Sequence, residues 1–196
     1  MTLKILIILC CVLGIGLVVA WFLVPRFLEQ PSYSIIKKER EFEIRRYEAM
    51  LLQSVNVSGD QYSSLRNGFR PLVSYIGGKK RDGLKISMTA PVFQALGKNE
   101  EDWTISFSMP SKYTKVSLPN PSDDSLFSEE LNPSTAAVIR FNGKANEKML
   151  LEKTEALLDW LQNTDYIITS RPKYMFYNDP STPGFLRRNE VMVLIK

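Results

Sequence analysis

Histidine is absent from all 196 residues. That excludes a Ser-His or Cys-His nucleophile pair and any imidazole metal site. Cysteine is nearly absent: Cys10 and Cys11 both lie inside an apolar run, so the chain beyond them has no disulfide and no thiolate ligand. Bulky Leu9 before Cys10 also argues against a lipoprotein acceptor. No glycine-rich phosphate loop occurs, and Gly77-Gly78 reads as a helix stop. Net charge is slight, with 25 basic against 21 acidic residues and a balance of +4. The basic clusters at 37–46 and 79–85 are interspersed with acids. They read as a solvated face near anionic lipid and not as a nucleic-acid surface. Asp123-Asp124 and Glu129-Glu130 fall in polar loops, and Lys85 with Ser87 reads as the solvent side of a strand. No catalytic constellation emerges, so the reading is of a protein that is not an enzyme.

What is present begins with Ile5 to Val24, twenty uncharged and mostly aliphatic residues. As a helix this run spans about 30 Å, the hydrocarbon thickness of a bilayer. Trp21 suits the interface, and Pro25-Arg26 ends the helix among headgroups. A cleaved signal peptide is the rival, with Lys4 before the run and Val18-Val19-Ala20 near its end, but the apolar stretch continues past the cut. The expected organisation is a single-pass membrane protein with an N-terminal transmembrane anchor at 1–28, in contact with lipid through 5–24, and a folded domain at 29–196. Positive charge after the span favours a cytoplasmic domain, whereas a short N-terminal tail favours the opposite, so the side stays open.

From Tyr33 onward the chain shows the same order of elements twice. In the first half, "FEIRRY" (42–47) and "LLQSVNV" (51–57) read as strands. A helix follows, capped by Asp60, with Tyr62, Leu65, Phe69, Leu72 and Ile76 at three- and four-residue steps; Gly68 and Pro71 predict a kink. Leu84, Ile86, Met88, Ala90 and Val92 then alternate with polar residues, as do Trp103, Ile105, Phe107 and Met109, with a hairpin turn near Gly97-Lys98-Asn99. A Pro- and acid-rich loop at 118–124 leads to the second half. There Ala136 to Phe141 reads as a strand, Asn146 caps a helix striped by Leu150, Thr154, Leu157, Leu158 and Leu161, and 174–177 and 190–195 read as paired strands. The fold class is therefore α+β: two pseudo-repeated βαββ-type units joined into one curved antiparallel sheet or barrel, with both helices outside. Within "KISMTAPV" (85–92), Pro91 suits a sheet edge or bend, where its missing N–H needs no partner.

"KISMTAPV", with "YIGG" (75–78), "FSMP" (107–110) and "YNDPSTP...RRNEV" (177–191), resembles the SOUL haem-binding proteins in order and spacing from about Tyr33 to the end. The resemblance implies a distorted antiparallel β-barrel flanked by two helices. It also implies reversible, non-covalent binding of haem or a related tetrapyrrole in an apolar groove beside the first helix. Arg66 falls where a basic residue meets the haem propionates, and Phe69, Leu72, Val73 and Ile76 are the candidate walls. Met88 is a candidate sulfur donor to iron. A second position, often Lys in the family, is Ser74 here, and a position that is histidine in some members is Arg46, so histidine ligation there is excluded. Arg187, Arg188 and Glu190 read as an ion-pair and turn network. The implied role is a membrane-anchored buffer or carrier. A binder of another apolar small molecule and an interaction module of a membrane complex are the alternatives.

Overall fold

In the computed structural model, residues 5–10, 12–14, 16, 28–79, 83, 85–97, 99 and 101–196 are described. Nine strands run in chain order: β1 (Tyr33–Glu39), β2 (Phe42–Tyr47), β3 (Met50–Ser58), β4 (Val92–Leu96), β5 (Asp102–Ser108), β6 (Leu126–Leu131), β7 (Ser134–Asn142), β8 (Lys173–Phe176) and β9 (Arg188–Ile195). Helix α1 (Gln61–Ile76) follows β3, and α2 (Glu147–Gln162) follows β7. Both helix starts are set by side chains that accept orphan backbone N–H groups. Asp60 accepts from Tyr62 and Ser63, and Asn146 accepts from Met149.

All ladders are antiparallel, and the strand order is β1-β2-β7-β9-β8-β4-β5-β3-β6. That order displays the repeat. The unit β3-α1-β4-β5 occupies positions β4-β5-β3, and the unit β7-α2-β8-β9 occupies β7-β9-β8, its mirror in sequence of neighbours. The two meet where Val92–Ala95 pairs with Lys173–Phe176. The expected barrel is not closed: among the described residues β1 and β6 each pair on one side only, which leaves an open, curled sheet.

Each helix covers the same face of its own unit. Under α1 lie Leu51, Val55, Ile105 and Phe107 with Leu72 and Tyr75; under α2 lie Ile44, Ile139, Val191 and Val193 with Leu157 and Leu161. A third buried cluster, including Leu52, Phe93, Val138, Met175 and Met192, belongs to the opposite face. No helix among the described residues is part of this cluster, and the curl of the sheet buries it.

One expected element differs from what is found. The alternation in 85–91 is not a sheet strand. Its one pairing is a bridge from Thr89 to Glu29, and the ladder starts at Val92, immediately after Pro91. The segment is an extended arm: Ile86 N–H donates to the Ile76 carbonyl, Ala90 N–H to the Glu29 carbonyl, and Thr89 Oγ1 to the Ser108 carbonyl at 2.6 Å. Burial alternates up to Ser87, then fails at Thr89 because that hydroxyl has an internal acceptor. The Ala90–Pro91 peptide bond is cis. Helix α1 includes both Gly68 and Pro71 within its span.

The membrane span called from 5–24 lies partly outside the described residues, which lack 11, 15 and 17–24 of it. Residues 5–10, 12–14 and 16 are helical. No helix among the described residues is long and apolar enough to cross a membrane.

Candidate functional site

Two places combine exposed or partnered polar groups with apolar walls, and they lie on opposite faces of the sheet. The first is the outer side of α1. The apolar residues of this helix divide between two stripes. The inward stripe carries Ser64, Gly68, Leu72 and Tyr75, all buried. Its small members bring the helix close to the sheet, where a Cβ built on Gly68 would lie 2.5 Å from Ile105 Cγ1. The outward stripe carries Tyr62, Phe69 and Val73, which are 76%, 39% and 38% exposed. On a helix these three fall within about 40° of one another, and Arg66 and Arg70 adjoin them along one border. Phe69 leans edge-on against buried Phe107, with ring centroids 5.3 Å apart, which fixes its orientation.

The structure thus brings Arg66, Phe69 and Val73 together on one exposed apolar face. Leu72 is fully buried and Ile76 nearly so, both in the cluster beneath the helix. Met88 is half-buried against that same cluster. Tyr62, expected as part of the helical pattern, joins the exposed face.

The second place is on the concave face. Because side chains alternate along β2, Ile44 faces α2 while Glu43, Arg45 and Tyr47 face the other way, all three buried. Arg45 is the hub. Its Nε donates to Glu43 Oε2 at 2.7 Å, its Nη1 to Glu190 Oε2 at 2.7 Å and to Tyr47 Oη at 3.0 Å, and its Nη2 to Glu190 Oε1 at 3.1 Å. Tyr177 Oη donates to Glu190 Oε2 at 2.9 Å, and Arg188 Nε to Glu190 Oε1 at 2.9 Å. Lys38 reaches the outer oxygen of Glu43 at 2.8 Å. The guanidinium of Arg45 also lies over the Tyr33 ring and that of Arg188 over the Tyr177 ring.

The titration behaviour follows from this wiring. Burial alone would raise the Glu43 carboxyl, but hydrogen bonds from Lys38 and Arg45 outweigh it and hold the group below its ordinary value. Burial would lower Arg45, yet Glu190 keeps it firmly protonated. Burial pushes Tyr47 up to about 12 and Tyr177 well above the phenol range.

The expectation that Arg188 and Glu190 form an ion pair matches the structure, at 2.7 Å. Arg187 instead ties the turn, donating to the carbonyls of Thr182 and Pro180. Arg45 was missed by sequence reasoning. The available signal was the shared parity of Glu43, Arg45 and Tyr47, but nothing local announces a partner 145 residues away.

Comparison with known proteins bears on the whole of this architecture. The family model described as SOUL heme-binding protein matches residues 28–194. Heme-binding protein 2 of Homo sapiens is 31% identical over 162 residues, covering 79% of this chain and 78% of the relative. Heme-binding protein 1 of Mus musculus is 28% identical over 164 residues, covering 81% and 86%. Among solved structures, the EcmrR C-terminal domain superposes with a TM-score of 0.60 at 14% identity, covering 84% of this chain and 98% of that one. A hydrolase from Listeria innocua gives 0.58 at 9% identity, covering 82% and 94%. Both establish the fold alone. With a match that spans the sheet, both helices and the stripe on α1, the chain belongs to the SOUL heme-binding protein family.

Proposed function

We propose that this protein binds haem or a related tetrapyrrole reversibly on the outer face of α1, as a non-enzymatic buffer or carrier. The observation that carries the reading is the exposed apolar row Tyr62, Phe69, Val73 with Arg66 and Arg70 beside it, in a family described as heme-binding. A porphyrin is a flat apolar disc with two carboxylates at one edge. A greasy strip with guanidinium groups at its border suits both parts. Leu72, Ile76 and Met88 support the strip from beneath.

Without histidine anywhere in the sequence, affinity rests on the macrocycle and its propionates. Haem and iron-free protoporphyrin should therefore bind within about threefold of each other, since hydrophobic contact and charge pairing are common to both. Val73→Asp should weaken binding at least about tenfold by placing a carboxylate in the strip. Arg66→Ala should weaken it by about threefold to tenfold. Neither exposed change should lower the melting temperature appreciably. Absorbance titration of the full chain in detergent reads all of these. Unchanged spectra with either macrocycle would end the proposal, and equal affinity of Val73→Asp would remove α1 from it.

Anchoring through residues 5–24 completes the proposal. It is supported by the composition of that run and by Ile5, Leu6, Ile7, Ile8, Leu9, Val12 and Leu13, all more than half exposed in the helical part. Deletion of 1–28 should move the protein from the detergent phase to the aqueous phase in cloud-point partitioning; retention in detergent would contradict the anchor.

A further inference from the structure

On the concave face, beyond the Arg45 network, a cavity of about 380 Å³ is lined by Gln30, Arg140, Tyr177, Asn178, Leu186 and Arg188 among others. The face opposite α1 forms its wall, so it is separate from the tetrapyrrole strip. Its hydrogen-bonding character leans toward donors. Gln30 Oε1 accepts from Arg188 Nη1 at 3.1 Å, and Asn178 Oδ1 accepts from the Arg188 backbone N–H at 2.7 Å. Both partners are donors only, which fixes the orientation of each carboxamide and leaves its NH₂ end unused among the described residues. Tyr177 has its hydroxyl proton committed to Glu190.

The two arginines add positive charge to this lining. Arg188 Nη2 lies 2.7 Å from Glu190 Oε1 in the ion pair already described, beside the Nε hydrogen bond to the same oxygen, so this guanidinium is held by Glu190 and Gln30. Arg140 stands opposite Glu190 in the β7–β9 register, yet both Glu190 oxygens already accept from Arg45, Tyr177 and Arg188. The Arg140 guanidinium makes no hydrogen bond or ion pair with any described residue. The cavity therefore offers the Arg140 guanidinium, the positive charge of Arg188 and two amide NH₂ groups, against one unused side-chain acceptor, Asn142 Oδ1, whose own NH₂ donates to the Phe185 carbonyl.

We propose that this cavity is a binding site for a small acceptor-rich anion, a carboxylate or phosphate group. A planar guanidinium such as that of Arg140 matches such oxygens in pairs, and the amide NH₂ groups of Gln30 and Asn178 can add neutral donors beside it. The half-exposed Leu186 and the stacked Tyr177 ring furnish an apolar wall for the remainder of the ligand. The phosphate could belong to a free metabolite or to a lipid headgroup; Gln30, in the wall, lies just after the proposed anchor.

The test is titration of the full chain in detergent with inorganic phosphate and with citrate at constant ionic strength, read by calorimetry and by thermal shift. A parallel arm measures flotation with vesicles of phosphatidylcholine alone or with phosphatidylglycerol added. Arg140→Gln is the variant, because that side chain is exposed and makes no hydrogen bond or ion pair with any described residue; Lys148→Gln, an equal loss of charge on α2, is the control. We expect saturable binding of at least one anion, weakened about tenfold or more by Arg140→Gln and by less than twofold by Lys148→Gln. Binding of soluble anions identifies a metabolite; an Arg140-dependent preference for phosphatidylglycerol without it identifies a headgroup. Absence of both, or equal losses in the two variants, overturns the site.

Discussion

Arg45→Ala should lower stability by about 3–5 kcal/mol, the range seen when one partner of a buried ion pair is removed. For a domain of this size that is a fall of roughly 10 °C in melting temperature. The reason is the company that Arg45 keeps. It is 1% exposed, and it stands between Glu43 and Glu190, which are 5% and 0% exposed. Without the guanidinium, Glu43 retains Lys38 and Glu190 retains Arg188, so each carboxylate has one cation left where it had two. Arg45→Lys should be intermediate, because an ammonium cannot reproduce the fork that reaches both acids and Tyr47 at once.

The pH dependence separates this account from simple loss of packing. In the native protein, Glu43 is held below its ordinary value, so its contribution is present above the unfolded carboxylate range and disappears as pH falls through the folded value. Tyr47 is raised to about 12, so its contribution is present below pH 10 and disappears as pH climbs toward 12. Stability should form a plateau between those limits. In Arg45→Ala the Glu43 carboxyl loses one of the two cations that offset its burial, and the deficit relative to the native protein should shrink on acidification. Denaturant melts from pH 4 to 8 would show it; a deficit that stays constant with pH would mean that Arg45 acts through volume alone.

Gly68 gives the second large effect. Helix propensity favours Gly68→Ala by about 1 kcal/mol. The structure argues the other way: the new methyl would sit 2.5 Å from Ile105 Cγ1 and 2.7 Å from its Cβ, on a residue that is fully buried and anchored in β5. Neither atom is a mobile tip, so α1 must lift. Overpacking of this kind costs about 1–3 kcal/mol, with more for larger intrusions. We expect a net loss for Gly68→Ala and a loss above about 3 kcal/mol for Gly68→Val. Asn67→Ala, one residue away and exposed, should be neutral or slightly stabilising. A rise in melting temperature for Gly68→Ala would refute the close approach of α1 to β5.

Much of the fold was legible because its signals are local. Asp60 and Asn146 announce the helix starts, and the alternation around Ile105 announces β5. The doubled order of elements foretold the paired βαββ units. Other features depend on distant partners. Strand β1 has six exposed residues from Ser34 onward and no one-sided pattern to betray it. The 85–91 segment alternates as a strand does, but its hydrogen bonds go to Glu29, Ile76 and Ser108. Of the candidate site, Arg66, Phe69 and Val73 share a face in the structure, whereas the depth of Leu72 and Ile76 follows from the small side chains of Ser64 and Gly68, which let the sheet approach. Arg45 looked like a solvent residue because charge usually is; only the register of β2, β7 and β9 reveals Glu190 within reach.

The unclosed sheet carries one more consequence. Its two outermost strands pair on one side only among the described residues, and a free strand edge is the kind of template on which a foreign strand can add and fibres can grow. Both borders are charged: Lys37, Lys38 and Glu39 on β1, Glu129 and Glu130 on β6. A segment laid along either one would have to strip water from those side chains without gaining partners for them. The molecule thus keeps the curvature of a barrel without its seal, and protects its open margins from aggregation by electrostatics.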